Sequence, residues 1–113
     1  MSMTMTATSK FQACIDACHQ CHEACEKNCT ECCRMDMSQM GKCVELCRDC
    51  ADICKMAESF MIRDSQFAKQ VCQLCATICD ACATECAKHQ NPHCQACATE
   101  CKKCADECRK MSA

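Results

Sequence analysis

A cysteine returns every three or four residues along residues 14–33, which read CIDACHQCHEACEKNCTECC. An α-helix completes a turn in about 3.6 residues, so steps of three and four place side chains on one face. At 100° per residue, the cysteines from Cys14 to Cys32 cover only about 80° of the helix surface. Asp16 and Lys27 fall on the opposite side. The stretch therefore predicts an amphipathic helix whose inner edge is a narrow stripe of thiols.

Three further groups of cysteines repeat this spacing, and only Cys29 and Cys33 depart from strict alternation of the two steps. Adding 22 to each number of the third group gives the fourth group, and adding 29 to the first four cysteines gives the second. The repetition predicts four copies of one helical unit. The groups are Cys14, Cys18, Cys21, Cys25, Cys29, Cys32 and Cys33; Cys43, Cys47, Cys50 and Cys54; Cys72, Cys75, Cys79, Cys82 and Cys86; and Cys94, Cys97, Cys101, Cys104 and Cys108.

Residues typical of helix starts separate the four groups. Ser9 followed by Gln12 resembles a capping box. The second helix can start at Asp36 or Ser38, and the third at Asp64 or Ser65. The fourth can start at Asn91-Pro92, where proline takes the first helical position. We therefore expect helices at about 9–34, 38–62, 65–89 and 92–111, after a flexible tail at residues 1–8.

The short connections between these helices imply that neighbouring helices run antiparallel. A chain of 113 residues suits one domain. Ile, Leu and Val total only eight, and free cysteine behaves as a small buried hydrophobe. The sequence thus predicts an all-α domain at residues 9–113, an antiparallel up-down-up-down four-helix bundle with a cysteine-lined core.

Composition argues against several other classes of protein. Disulfide-rich secreted domains are usually rich in turn residues, whereas this chain has one Gly, one Pro and an odd number of cysteines, 21. The first ten residues resemble no export signal, so we expect a cytoplasmic protein. No apolar run approaches the roughly 20 residues of a membrane span. The net charge is −2 without a basic block, so we expect neither a membrane nor a nucleic-acid partner.

A column of thiolates selects soft metals, namely Cu(I), Zn(II) or iron–sulfur clusters. Zinc binds up to four thiolates, which would leave about two surplus negative charges per ion in a dry core. Cu(I) with shared thiolates can approach one ion per sulfur and near neutrality. The compact loop spacing of iron–sulfur proteins is absent. The pattern favours a protein that binds and stores multiple Cu(I) ions, for storage or detoxification.

Other interpretations of the cysteines remain open. A thiol redox protein or disulfide relay would use a few cysteines of lowered pKa, and a zinc buffer would resemble metallothionein. The cysteines could also serve only as small core residues, or pair as disulfides between helices. No Ser-His-Asp set, phosphate loop or paired carboxylate is apparent, so we do not expect an enzyme.

Four helices with cysteines at steps of three and four along every inward face resemble the copper storage proteins. The resemblance extends from about Phe11 to Met111. It implies a four-helix bundle that holds many Cu(I) ions, a cytosolic member and assembly as a homotetramer. It also implies that all twenty-one cysteines are Cu(I) ligands, with Cys33 at the edge of its stripe.

The two ends of the predicted bundle differ in chemistry. One end gathers Cys32, Cys94 and three further candidate ligands, Met40, His89 and His93, so we expect copper to enter there. Met35 and Met37 lie at the same end as weaker candidates, and His19 and His22 are expected on the surface. Met1, Met3 and Met5 resemble a methionine copper motif, although a disordered tail is favoured.

The opposite end collects every phenylalanine, and we expect a hydrophobic closure there. Its residues are Phe11, Ile15, Phe60, Met61, Ile62 and Phe67. A second apolar stripe in the third helix lies roughly 90° from the cysteines. It consists of Phe67, Val71, Leu74 and Ile78, and could pack on a neighbouring helix or join subunits.

Overall fold

The computed structural model describes the backbone of residues 2–112 and the side chains of residues 10–112. It contains four α-helices: α1 (Ser2–Cys33), α2 (Met37–Ile62), α3 (Ala68–Ala87) and α4 (Pro92–Ser112). Within the described chain, none of these helices is long and apolar enough to cross a membrane. Met1 and the side chains of Met3 and Met5 lie outside the described residues, so the methionine motif stays a prediction.

The helices pack as an antiparallel ring. α1 contacts α2 and α4, and α3 contacts the same two helices. Each helix therefore has two neighbours, and the inner faces of all four meet on one axis. The expected four-helix bundle is confirmed.

Local chemistry explains where the helices begin. Asp36 is the N-cap of α2 and accepts a hydrogen bond from the Ser38 amide at 3.0 Å. Pro92 is the first residue of α4, and the Asn91 carbonyl accepts from the Cys94 amide at 3.0 Å. Both starts lie at the residues that the sequence indicates.

Two helix bounds differ from the expected ones. α1 begins at Ser2 and not near residue 9, since no Gly or Pro interrupts the first ten residues. α3 begins at Ala68 and not at residue 65. Asp64, at φ 53°, ends α2 in a Schellman turn, in which the Ser65 amide donates to the Phe60 carbonyl at 2.9 Å. This turn uses the residues that were expected to start the third helix.

Sulfur fills the axis of the bundle. Twenty of the 21 cysteines are buried, and only Cys29, at 8 %, has a relative exposure above 1 % among them. Cys33 is exposed at the end of α1. We call the twenty buried cysteines the thiol core. The expected cysteine-lined interior is confirmed.

The hydrophobic closure at the Phe11 end is smaller than expected. Phe11, Ile15 and Met61 are buried, whereas Ile62 and Phe67 are each 52 % exposed. Their neighbours in sequence, Met61 and Ala68, are buried instead, so Ile62 and Phe67 face outward. The expectation that these two residues help close the bundle was wrong.

The second apolar stripe of α3 divides into two parts. Val71 and Ile78 are partly buried and pack against the core. Phe67 and Leu74, each 52 % exposed, leave an apolar outer surface. Helix packing therefore explains half of the stripe.

Candidate metal centre

The thiol core is a continuous set of close sulfur contacts. Neighbouring Sγ atoms lie from 3.4 Å apart, between Cys50 and Cys79, to 4.0 Å apart, between Cys21 and Cys25. A disulfide requires about 2.05 Å. All 21 cysteines are free thiols. The interior is therefore a reduced sulfur surface and not a set of cross-links.

Different helices supply the sulfurs of each cluster, because every helix turns its stripe to the same axis. One four-sulfur cluster takes a single thiol from each helix and comprises Cys25, Cys47, Cys82 and Cys97. A second does the same with Cys21, Cys54, Cys79 and Cys104. In each group the sulfur atoms lie within 4.8 Å of one another, close enough for one ion to contact several of them.

Neighbouring clusters share members. Cys21 and Cys25 belong to a further cluster with Cys50 and Cys101. Cys104 and Cys108 connect the row to the clusters nearest the Phe11 end, which are Cys18, Cys75, Cys104 and Cys108, and Cys14, Cys72 and Cys108. The shared sulfurs mean that ions bound here would be bridged along the bundle axis.

No basic side chain lies in the core of the described residues. The buried polar or charged residues are Asn28 and Glu85. Thiolate charge inside the bundle would therefore have no lysine or arginine partner. A buried charge without a partner is costly, so protons or metal ions must supply the compensation.

Burial favours the protonated form of three thiols near the α1–α2 and α3–α4 connections in the metal-free protein. It raises the pKa of Cys32 to about 12, and the neighbouring Cys94 thiol adds to the rise. Burial also raises the pKa of Cys29 and of Cys94. Ligand thiols must lose their protons to bind a metal, so metal uptake at these residues releases protons.

The end of the bundle near the α1–α2 and α3–α4 connections, which we call the polar end, contains the candidate imidazole ligands. His93 is half-buried, and its Nδ1 lies 3.6 Å from the Cys94 sulfur. Met40 is 3 % exposed. His93 is thus positioned beside the first core thiols, and the Met40 thioether lies within the bundle.

The structure places His89 differently. Its Nε2 lies 3.1 Å from a carboxylate oxygen of Glu85, a buried acid one helical turn earlier. The Lys88 ammonium contacts the other oxygen at 3.4 Å. His89 is therefore engaged by a carboxylate and not by a thiol.

The remaining candidates of the sequence lie outside the core. Cys33, Met35 and Met37 are exposed. His19 faces the carboxylates of Glu23 and Glu58, and His22 contacts the Ala51 carbonyl at 3.2 Å. The structure does not bring these five residues into the thiol core.

Asn28 is a core residue that the sequence analysis missed. It is 1 % exposed, and its Nδ2 donates to the sulfurs of Cys43, Cys47 and Cys86 at 3.5, 3.3 and 3.5 Å. Its Oδ1 accepts from the Cys32 thiol at 3.6 Å and from His93 Nδ1. Strict alternation of steps of four and three would place the inner residues after Cys25 at positions 28 and 32. Position 28 holds asparagine, so the interruption of the cysteine spacing was a signal that could have identified it.

A groove between α1 and α4 leads from the surface to this asparagine. It has a volume of about 350 Å³, and Asn28, His93 and Cys97 line its inner side. Glu23 and Glu100 line it as well. The larger groove between α3 and α4, about 770 Å³, is lined by no cysteine. The smaller groove is therefore connected to the candidate metal centre.

Comparison with known proteins gives consistent matches. The sequence model of the family described as "Copper storage protein" matches residues 7–113. The "Uncharacterized cysteine-rich protein YhjQ" of Bacillus subtilis (strain 168) is 48% identical over 103 residues, which are 90% of this chain and 95% of that protein.

Solved structures of similar proteins share the fold. The "Cu(I)-bound Copper Storage Protein BsCsp3" superposes with a TM-score of 0.87 at 48% identity, covering 90% of this chain and 97% of that chain. The cytosolic copper storage protein from Streptomyces lividans, described with five coppers, has a TM-score of 0.89 at 30% identity and covers 95% of both chains. The resemblance found in the sequence is confirmed, and the chain belongs to the copper storage protein family.

Proposed function

We propose that this protein binds and stores many Cu(I) ions through the thiolates inside its bundle, for copper storage or detoxification. The observation that carries this function is the sharing of sulfurs between neighbouring clusters along the axis. A store gains capacity when each sulfur serves more than one ion. Membership of the copper storage family supports the same function.

Zinc is the main competing cargo, and sulfur distances alone do not exclude it. A tetrahedral zinc site with bonds of about 2.3 Å to sulfur has sulfur separations of about 3.8 Å, similar to those of the core. Charge favours copper. Four thiolates around one Zn(II) carry two surplus charges, and no basic residue is buried among the described residues to offset them.

A thiol redox protein is the second alternative. Such proteins depend on a partly exposed cysteine with a lowered pKa. The one exposed cysteine of the described chain, Cys33, lies outside the thiol core, and burial raises the pKa of the nearby Cys29. The core thiols are therefore poorly placed for exchange with a protein substrate.

The proposed ligands are the twenty-one cysteines together with Met40, His89 and His93. The contacts of the core thiols support most of this set. His93 beside Cys94 supports a route for copper through the polar end. For His89, a ligand role would require release from Glu85. For Cys33, a ligand role would require a Cu(I) ion bound at the protein surface, where this thiol is exposed.

Storage has no catalytic cycle, so we propose no enzymatic activity. A cytoplasmic location is supported by the relative from Streptomyces lividans, which is described as a cytosolic copper storage protein. We further propose a homotetramer. The exposed side chains of Phe67 and Leu74 offer an apolar surface for subunit contact.

Anaerobic titration of the reduced protein with Cu(I), in competition with a chelator such as bathocuproine disulfonate, tests the function. We expect tight uptake on the order of one ion per cysteine. Saturation near four or five ions would contradict storage in shared clusters. A parallel titration with Zn(II) should show fewer ions bound, and zinc that resists displacement by Cu(I) would favour the zinc buffer.

A further inference from the structure

Asn28 occupies a position in the α1 stripe that regular spacing would give to a cysteine. The inner positions of this helix follow 14, 18, 21, 25, 28 and 32, with alternating steps of four and three. Five of these six are fully or almost fully buried cysteines, and Asn28 at 1 % exposure is equally buried. The carboxamide is therefore part of the inner wall of the bundle.

The two ends of this carboxamide face different groups. The nitrogen faces inward and donates to three sulfurs, those of Cys43, Cys47 and Cys86. The oxygen faces the polar end, where it accepts from Cys32 and His93. Asn28 thus contacts the candidate imidazole ligand through its oxygen and three interior thiols through its nitrogen.

Among the three sulfurs that face the nitrogen, that of Cys86 is close to both of the others. Cys86 Sγ lies 3.6 Å from Cys43 Sγ and 3.8 Å from Cys47 Sγ. Such separations suit one Cu(I) ion bound by three thiolates, with α2 supplying two of them and α3 the third. The amide nitrogen contacts every member of the trio and belongs to a different helix, α1.

An amide group is a poor ligand for a soft ion such as Cu(I) but a good hydrogen-bond donor to sulfur. Donors in this position orient metal ligands and stabilise the negative charge that the bound thiolates retain. A cysteine at position 28 would supply a ligand but no N–H group. The chemistry of asparagine therefore serves orientation and not coordination.

We propose that Asn28 is a positioning residue for a Cu(I) site formed by the buried thiols of Cys43, Cys47 and Cys86. The inference rests on the proposed storage of Cu(I). The carboxamide holds sulfurs from α2 and α3 in register. Removal of a side chain that hydrogen-bonds to metal ligands typically weakens metal binding by about 10–100-fold.

The test compares Asn28→Ala and Asn28→Asp with the wild-type protein. Alanine removes the whole amide, whereas aspartate keeps its size and shape but replaces the N–H donors with oxygen. The matched control is Gln20→Ala, since Gln20 lies on the same helix, is exposed, and binds Lys103 at 3.3 Å. Thermal melting of each metal-free variant shows whether the bundle still folds.

Two measurements are made on each reduced variant. In competition with a Cu(I) chelator, one ion should bind about 10–100-fold more weakly to both Asn28 variants than to the wild type. The total number of ions bound should stay near that of the wild type. Anomalous diffraction at the copper edge, from crystals loaded with few equivalents, should show copper beside Cys86 in the wild type and the control but less in the variants.

The aspartate variant separates positioning from space-filling, because it fills the site as asparagine does. Wild-type occupancy beside Cys86 in Asn28→Asp would overturn the proposal, even if Asn28→Ala fails to fold. If aspartate also prevents folding, unchanged occupancy in a third variant, Asn28→Ser, would overturn it. Low copper capacity in the wild-type protein would instead refute the storage function itself.

Discussion

Cys50 Sγ lies 3.4 Å from Cys79 Sγ, across the contact between α2 and α3. Both thiols are fully buried, and Cys50 also contacts the sulfurs of Cys21 and Cys101 at 3.7 and 3.8 Å. One thiol therefore packs against sulfurs from three other helices. Removal of this thiol should affect both the packing of the metal-free bundle and its metal capacity.

We expect Cys50→Ser to destabilise the metal-free protein by about 1–3 kcal/mol, because a buried hydroxyl among thiols finds only weak hydrogen-bond acceptors. Capacity should fall by about one ion. Urea unfolding and Cu(I) titration measure the two effects. Cys33→Ser is the control, since Cys33 is exposed, and it should change the unfolding free energy by less than about 0.5 kcal/mol. Equal effects of the two substitutions would contradict the buried sulfur network.

A second prediction concerns removal of copper. The core is filled by thiol side chains in van der Waals contact, so the bundle should remain helical without metal, unlike zinc fingers. Circular dichroism of the reduced, chelator-treated protein should retain the helical spectrum of the copper-loaded form.

Copper should nevertheless raise the melting temperature, because an ion that binds only the folded state stabilises it by mass action. The measurement is a melting curve at increasing copper. A coil-like spectrum of the metal-free protein, or a melting temperature that copper leaves unchanged, would contradict this picture of a preformed thiol core.

The sequence was sufficient to predict the bundle because the steps of three and four depend only on helix periodicity. It did not predict Asn28, because only the cysteines were followed along the stripe. It also misplaced Phe67. That residue precedes the first turn of α3, and its direction depends on the Schellman turn at Asp64, which is a local backbone feature. Hydrogen bonds such as that between Glu85 and His89 are invisible to periodicity as well.

A third prediction is that the metal-free protein loses stability in alkaline solution. Cys32 has a pKa of about 12 in the folded state against an ordinary value of 9.0, and the pKa values of Cys29 and Cys94 are raised as well. Between their ordinary pKa and the raised value, these three thiols bind more protons in the folded protein than in the unfolded chain. The stability that these three thiols contribute should therefore be fully present below about pH 9 and be lost as the pH rises toward 12.

Melting temperatures of the reduced protein between pH 7 and 11 measure this effect. Copper-loaded protein is the internal control, because its thiolates have already lost their protons and should show a smaller change over the same range. A melting temperature that rises above pH 9 in the metal-free protein would mean that the thiols ionise more easily in the folded state than in the unfolded one.

The last prediction concerns the route of copper. His93 lies 3.6 Å from Cys94 Sγ and donates to Asn28, so it is the half-buried imidazole nearest to the first core thiols. We expect His93→Ala to slow the uptake of Cu(I) from a chelator complex by on the order of tenfold, because an ion loses a ligand on its way inward. Total capacity should stay near wild type, since the thiol core is unchanged. His19→Ala is the control, because His19 is exposed and faces carboxylates. Uptake that is equally fast in both variants would mean that copper reaches the thiols by another path.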